Sequence, residues 1–229
     1  MAKAKINPSN FEYLKQLKKH NNRDWFNKNK DRYLNELKEL ELFADDLLAM
    51  MNGHDKIETP TGKKSLFRIY KDVRFSKDKK PYKTHWSGHF KRATKALRGG
   101  YYFHIEQGNS FAAGGFWGPE PVDLKRVRDE LAHDAAPLRN ILKSKAFIKT
   151  FKKLDGDQVK TSPQGFDPKN PAIDLLRYKQ YILVKKFSDK EVVSANFAKN
   201  LNETFKVMRP FLNYMSDVLT TDVNGISII

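Results

Sequence analysis

Between residues 61 and 100 the chain carries thirteen lysines and arginines against two acids, Asp72 and Asp78, so this stretch holds +11 of a net +16. Charge at that density, taken alone, would leave a segment unfolded. Aromatic side chains nevertheless run through it: Phe67, Tyr70, Phe75, Tyr82, Trp86 and Phe90. Like charge interleaved with core-type residues predicts a folded segment that presents a basic surface, and such a surface attracts anions. Elsewhere the charge is nearly balanced, with eleven cations and ten acids in residues 1–60 and nineteen and fifteen in residues 101–229. The basicity is therefore regional.

The remaining composition excludes several classes. The chain has no cysteine, which removes disulfides, thiolate metal sites and cysteine nucleophiles. A 39% hydrophobic and 12% aromatic content is enough for a core. The N-terminal run Met1–Pro8 has no apolar stretch of the secretory kind, and no run approaches the roughly 20 apolar residues that cross a bilayer. The expectation is a cytoplasmic protein with no membrane partner. Asn202-Glu203-Thr204 has the spacing of a glycosylation acceptor but falls inside a helical pattern.

Periodicity divides the chain. Ser9 and Glu12 have capping-box spacing, followed by Phe11, Leu14 and Leu17. A longer helix is predicted from Phe26, Tyr33, Leu37, Leu40, Phe43, Leu47 and Met51, with Gly53 as its stop. From Phe67 to Phe75 the period becomes two, which predicts a strand with Phe67, Ile69, Lys71, Val73 and Phe75 on one largely apolar face and Arg68, Tyr70, Asp72 and Arg74 on the other. A second alternating segment runs from Lys83 to Lys91, and the turn-rich Ser76–Pro81 makes the two a hairpin. Tyr101–Glu106 and Ser110–Trp117 form another, around Gln107-Gly108-Asn109. Tyr181–Val184 is a further strand candidate. Ser188 and Glu191 open a last helical pattern to about Leu219, which Pro210 should kink or divide.

This order predicts an α+β fold with a mainly antiparallel sheet in the centre and helices at the N- and C-terminal ends packed against it. A single domain is expected over 1–229: helical at 9–53, strand-rich and basic at 62–118, mixed at 119–187, helical at 188–220.

The string Phe67-Arg68-Ile69-Tyr70-Lys71-Asp72-Val73-Arg74-Phe75-Ser76-Lys77-Asp78-Lys79-Lys80-Pro81-Tyr82-Lys83-Thr84-His85 resembles the signature of a family of uncharacterised bacterial and fungal proteins, a domain of unknown function of about 220 residues. Asn22–Phe26, Gly100–His104 and Gly114–Trp117 resemble its other blocks. The resemblance extends from about residue 10 to about 215. It departs at Lys80, where family members often carry a neutral residue. It implies membership and brings no activity, cofactor or catalytic set.

The candidate site residues follow from charge and spacing. Arg68, Tyr70, Arg74, Lys77, Lys79 and Lys83 are the anion-binding candidates, since a planar guanidinium grips a carboxylate or phosphate with two donors. The same face reads equally as a ladder of ion pairs. Ser76–Lys80 lacks the glycines of a phosphate-cradling loop. Asp72, His85 and His104 are candidate acid/base groups, His104 because Tyr102 and Glu106 share its strand face. His85 and His89 lie roughly 13 Å apart along a strand, too far to share a metal ion, and no metal or cofactor is implied. Gly114–Gly118 reads either as an anion seat before a helix or as a bulge packing two aromatics.

Two function classes result. One is an anion-recognising protein that uses a basic sheet surface, with nucleic acid as the simplest ligand. The other is an enzyme acting on a small anionic substrate, phosphorylated or carboxylated, held by Arg68 and Arg74.

Overall fold

The structure is a computed structural model that describes residues 5–222 and 225–229. The chain opens with helices α1 (Pro8–Lys19), α2 (Arg23–Lys28), α3 (Lys30–Asn52) and α4 (Gly62–Ser65). Strands β1 (Trp86–Lys91), β2 (Gly100–Ile105) and β3 (Ser110–Phe116) follow. Next come α5 (Pro121–His133), α6 (Ala136–Lys143), α7 (Lys145–Phe151) and α8 (Ile173–Leu176), then β4 (Tyr181–Phe187), α9 (Asp189–Val192) and α10 (Phe197–Thr220). The strands form one antiparallel sheet in the order β1-β2-β3-β4, so the fold is α+β with helices before and after the sheet in sequence. Among the described residues, no helix is long and apolar enough to cross a membrane.

The chain divides into two compact units. The first holds the described residues up to Phe90 together with Tyr102–Ala112 and Lys186–Glu203. Its core is aromatic: Phe43 stacks on Phe197 with ring centroids 5.6 Å apart and meets Phe103 edge-on at 6.0 Å. Gly88 is required there, because a Cβ at that position would lie 2.4 Å from the Phe103 ring. Beside this core, Tyr13 and Tyr33 each stack on Trp86. His54 meets the buried Asn202 amide at 2.9 Å, so Asn202 is a core residue and no glycan acceptor.

The second unit holds Lys91–Tyr101, Ala113–Lys185 and the described residues from Thr204 onward. Its core joins Tyr101 to Phe205 at 5.0 Å and includes Leu131, Leu138, Leu183, Met208 and Leu212. Gly115, at φ +128°, passes so close to the Tyr181 carbonyl that a Cβ would clash at 2.3 Å. The Gly114–Gly115 pair is thus strand backbone against a neighbour. Phe116 is buried and Trp117 stands 81% exposed, so one of the two expected aromatics packs and the other does not.

Three local expectations are corrected. Ser9 and Glu12 form no capping box: Pro8 starts α1 with Asn7 as its N-cap, and the Ser9 hydroxyl donates to Glu36 at 3.0 Å instead. Ser188 and Glu191 do form one, but it caps the short α9, and α10 then runs unbroken through Pro210. Phe67–Phe75 is not a strand. It pairs only at the isolated bridges Leu66↔Gly88 and Tyr70↔Tyr82, and Phe75 is 96% exposed. Serine and aspartate side chains hold this backbone in turns, which compete with a ladder.

Candidate functional site

The alternating string 67–83 folds as an irregular basic loop anchored at two points. Ile69 and Tyr82 are buried, and Tyr82 stacks on Phe26 at 4.1 Å. Backbone bonds Lys71 N–H to Pro81 O (2.8 Å) and Lys83 N–H to Ile69 O (2.7 Å) close its neck. Asn21 adds a third tie: its amide donates to Tyr82 O at 2.9 Å and accepts from Tyr82 N–H at 3.0 Å, doing the work of a neighbouring strand. The tip is held by its own polar groups. Asp72 accepts Arg74 N–H at 3.2 Å, Asp78 accepts Lys80 N–H at 3.1 Å, and the Lys79 ammonium donates to Val73 O at 3.1 Å.

These ties sort the predicted cations. Arg74 grips Asp72 through two guanidinium nitrogens, at 3.0 and 2.6 Å, and this pairing pulls the Asp72 carboxyl below its ordinary range. Asp72 is therefore a loop fastener and is not brought to a histidine. Lys79 is turned back onto the loop. Lys83 donates to Arg68 O at 2.9 Å and lies over the Phe67 ring at 5.3 Å; burial, with Arg68 nearby, lowers its pKa. Tyr70 is half exposed beside Tyr82. Arg68, Lys77 and Lys80 have no ion-pair partner for their side chains among the described residues, and all three are exposed. Phe75 stands out from the loop with the Arg74 guanidinium over its ring at 5.9 Å.

A second cluster sits in the same unit. The His85 and His104 rings lie 4.1 Å apart, and Phe111 stacks on the other face of His104 at 4.8 Å. Tyr102 OH is 3.1 Å from His104 Nδ1, and Glu106 Oε2 is 3.3 Å from His104 Nε2. The chemistry of the partners assigns the tautomer. An ionised carboxylate only accepts, so Nε2 carries the hydrogen toward Glu106. Nδ1 is then the acceptor of the Tyr102 hydroxyl. The run is Tyr102 O–H to His104 to Glu106, three residues from one strand face placed by the two-residue period.

Electrostatics fix the charge state. Burial lowers the His85 pKa to about 4, with His104 adding to the shift, so His85 is neutral at pH 7. Burial also lowers His104, against the pull of Glu106. Glu106 lies below its ordinary value although burial opposes this; hydrogen bonds from Asn109 and His104 prevail. Burial raises the Tyr102 phenol, while a hydrogen bond with Ser87 acts the other way. No group of three or more His, Asp or Glu side chains among the described residues could hold a metal ion.

A family model for conserved hypothetical proteins, DUF2461, matches residues 9–214. The chain belongs to this family. Membership of an uncharacterised family agrees with the resemblance, and the DUF2461 match spans both the basic loop and the histidine cluster. Searches of curated proteins and of solved structures find no match.

Of the residues singled out from sequence, His85 and His104 come together, and Tyr102 and Glu106 join them. Asp72 does not. Phe111 was missed, since nothing in its neighbourhood signals that it closes over His104 from the adjoining strand. Phe75 was assigned to the core by its period and instead faces solvent.

Proposed function

We propose that this DUF2461 chain recognises an anion through the 67–83 loop, and that single-stranded nucleic acid is the ligand. The observation that carries this reading is the set of groups the loop leaves exposed: the Phe75 ring, with the Arg74 guanidinium over it, and the cations Arg68, Lys77 and Lys80, which have no ion-pair partner among the described residues. Cations fastened to a carboxylate gain little from a phosphate, whereas none of these three forms a close ion pair among the described residues. An exposed aromatic ring on a basic element accepts a base on its face, an interaction worth about 1–3 kcal/mol per base and open only to unpaired strands.

The test is fluorescence anisotropy with labelled single-stranded and duplex DNA and RNA between 50 and 200 mM salt. Single strands should bind more tightly than duplex. The three cations should give a slope of log K against log salt of about −2. Phe75→Ala should weaken binding by about 5- to 100-fold with the slope unchanged. Lys77→Ala/Lys80→Ala should flatten the slope by more than 1. Binding indifferent to Phe75 and to the two lysines would sink this reading. An enzyme acting on a small anionic substrate is the second reading, favoured by the hydroxyl–imidazole–carboxylate run at Tyr102, His104 and Glu106.

A further inference from the structure

We propose that Tyr102 is the nucleophile of a phosphoryl-transfer centre, with His104 as its base and Glu106 as the group that orients the base. The substrate is a phosphodiester of the strand that the basic loop receives, so this inference rests on the nucleic-acid reading. The supporting geometry is a chain of three groups in which each does what the next requires. A hydroxyl alone is a poor nucleophile at neutral pH, and burial makes the Tyr102 phenol poorer still by holding its proton. A base within hydrogen-bond reach, itself oriented by a third group, solves that problem. His104 Nδ1, at 3.1 Å, presents its lone pair to the phenol, and Glu106, at 3.3 Å, keeps the hydrogen on the opposite nitrogen.

The packing around His104 suits this role better than a structural one. His104 is only 8% exposed and is clasped between His85 and Phe111, so its ring cannot turn away from Tyr102. His85, neutral above it, adds no positive charge to oppose the imidazolium that forms during reaction. Tyr102 itself is half-buried, unlike His104 behind it. Phe67 packs 6.3 Å from the Tyr102 ring, and the Lys83 ammonium lies 5.3 Å from the Phe67 ring, so the neck of the basic loop adjoins this cluster.

The reaction balances without a co-reactant. The Tyr102 oxygen forms a bond to phosphorus as the bond from phosphorus to the leaving ribose or deoxyribose oxygen breaks. The phenol proton passes to His104 Nδ1, Glu106 stabilises the imidazolium, and the same proton then goes to the leaving oxygen. The products are a phosphotyrosyl ester and a free hydroxyl end.

The experiment uses bis(p-nitrophenyl) phosphate, which needs no oligonucleotide binding, alongside a labelled single strand resolved on a denaturing gel. With the small diester, p-nitrophenolate should appear in a burst of one per chain, and peptide mass mapping should find the added aryl phosphoryl group on Tyr102. Tyr102→Phe, which keeps the ring, should abolish both. His104→Gln should slow the burst by about 10²–10⁴-fold. Glu106→Gln should slow it less and move its pH profile, a change that a packing role would not produce. With the labelled strand, a covalent band should appear in the wild type alone. A wild-type chain that binds the strand by anisotropy but gains no mass on Tyr102 with either probe overturns the inference and leaves the binding proposal standing. Tyr102 labelled by the small diester, in a chain that binds no strand, upholds the nucleophile and overturns the nucleic-acid ligand.

Discussion

At the scale of the residue, the Tyr13 hydroxyl is a costly group. Tyr13 has no exposed surface, its ring stacks on Trp86 at 6.2 Å, and its OH has no hydrogen-bond partner among the described residues. A buried hydroxyl without a partner costs about 1–3 kcal/mol relative to its hydrated state in the unfolded chain. Tyr13→Phe keeps the stacked ring and deletes the orphan. It should raise unfolding stability by about 1 kcal/mol, measured by urea denaturation, and a loss of stability would show that the hydroxyl serves something. The Trp86 indole nitrogen is in the same position. Sequence reasoning sees none of this. It sees an aromatic residue at a helical spacing and assigns it to the core, which is right for the ring and silent about the oxygen. Asn21 is a similar case, since it reads as a helix breaker and proves to be a hydrogen-bonding partner for a segment about sixty residues away.

At the scale of the element, what was legible depended on whether the pattern was closed by local bonds or by distant ones. The β2–β3 hairpin was visible because alternation and turn residues agree, and α3 from its apolar period, although the helix expected to start at Phe26 is divided at Asn29, with Phe26 in α2. The 67–75 segment has the same alternation, yet its aspartates and serine satisfy the backbone in place, and only Ile69 of its apolar set is buried deeply. Pro210 was expected to interrupt a helix that in fact continues past it, because α10 is buried along its length by Leu201, Phe205, Met208, Leu212 and Met215. The histidine pair belongs to this scale too. His104, one turnless step from Tyr102 and Glu106, was readable from the two-residue period, whereas His85 reaches it only through strand register. That register has a measurable consequence. With the His85 pKa lowered to about 4, the folded chain binds fewer protons than the unfolded one between about pH 4 and 6.5. His85 therefore contributes full stability above about pH 6.5, and that contribution is lost as the pH falls toward 4. Solvent at the open edge of the ring limits the effect to about 1–2 kcal/mol. Chemical denaturation across this range should show the decline in the wild type and a shallower one in His85→Gln; equal slopes would refute the packing argument.

At the scale of the whole molecule, the dominant fact is a charge of +16 with most of it in one stretch. Such crowding repels itself, and salt relieves the repulsion. The melting temperature should rise between 50 and 300 mM sodium chloride by about 2–4 °C, the equivalent of about 1 kcal/mol. A fall would mean that the fastened pairs, Asp72 with Arg74 and Asp78 with Lys71, outweigh the uncompensated cations. The α+β class was legible from the order of helical and alternating segments, and the regional excess of cations from composition. Which cations stay available was not, because that depends on where each long side chain finds a carbonyl or a carboxylate in three dimensions. The Asn21 clamp on Tyr82 adds a last consequence. A loop fastened to the helical part of its own unit before any ligand arrives has already surrendered its conformational entropy. On the proposed function, association would start from a preorganised surface, with little ordering to oppose it, at a rate governed by long-range attraction between charges and not by a search for shape.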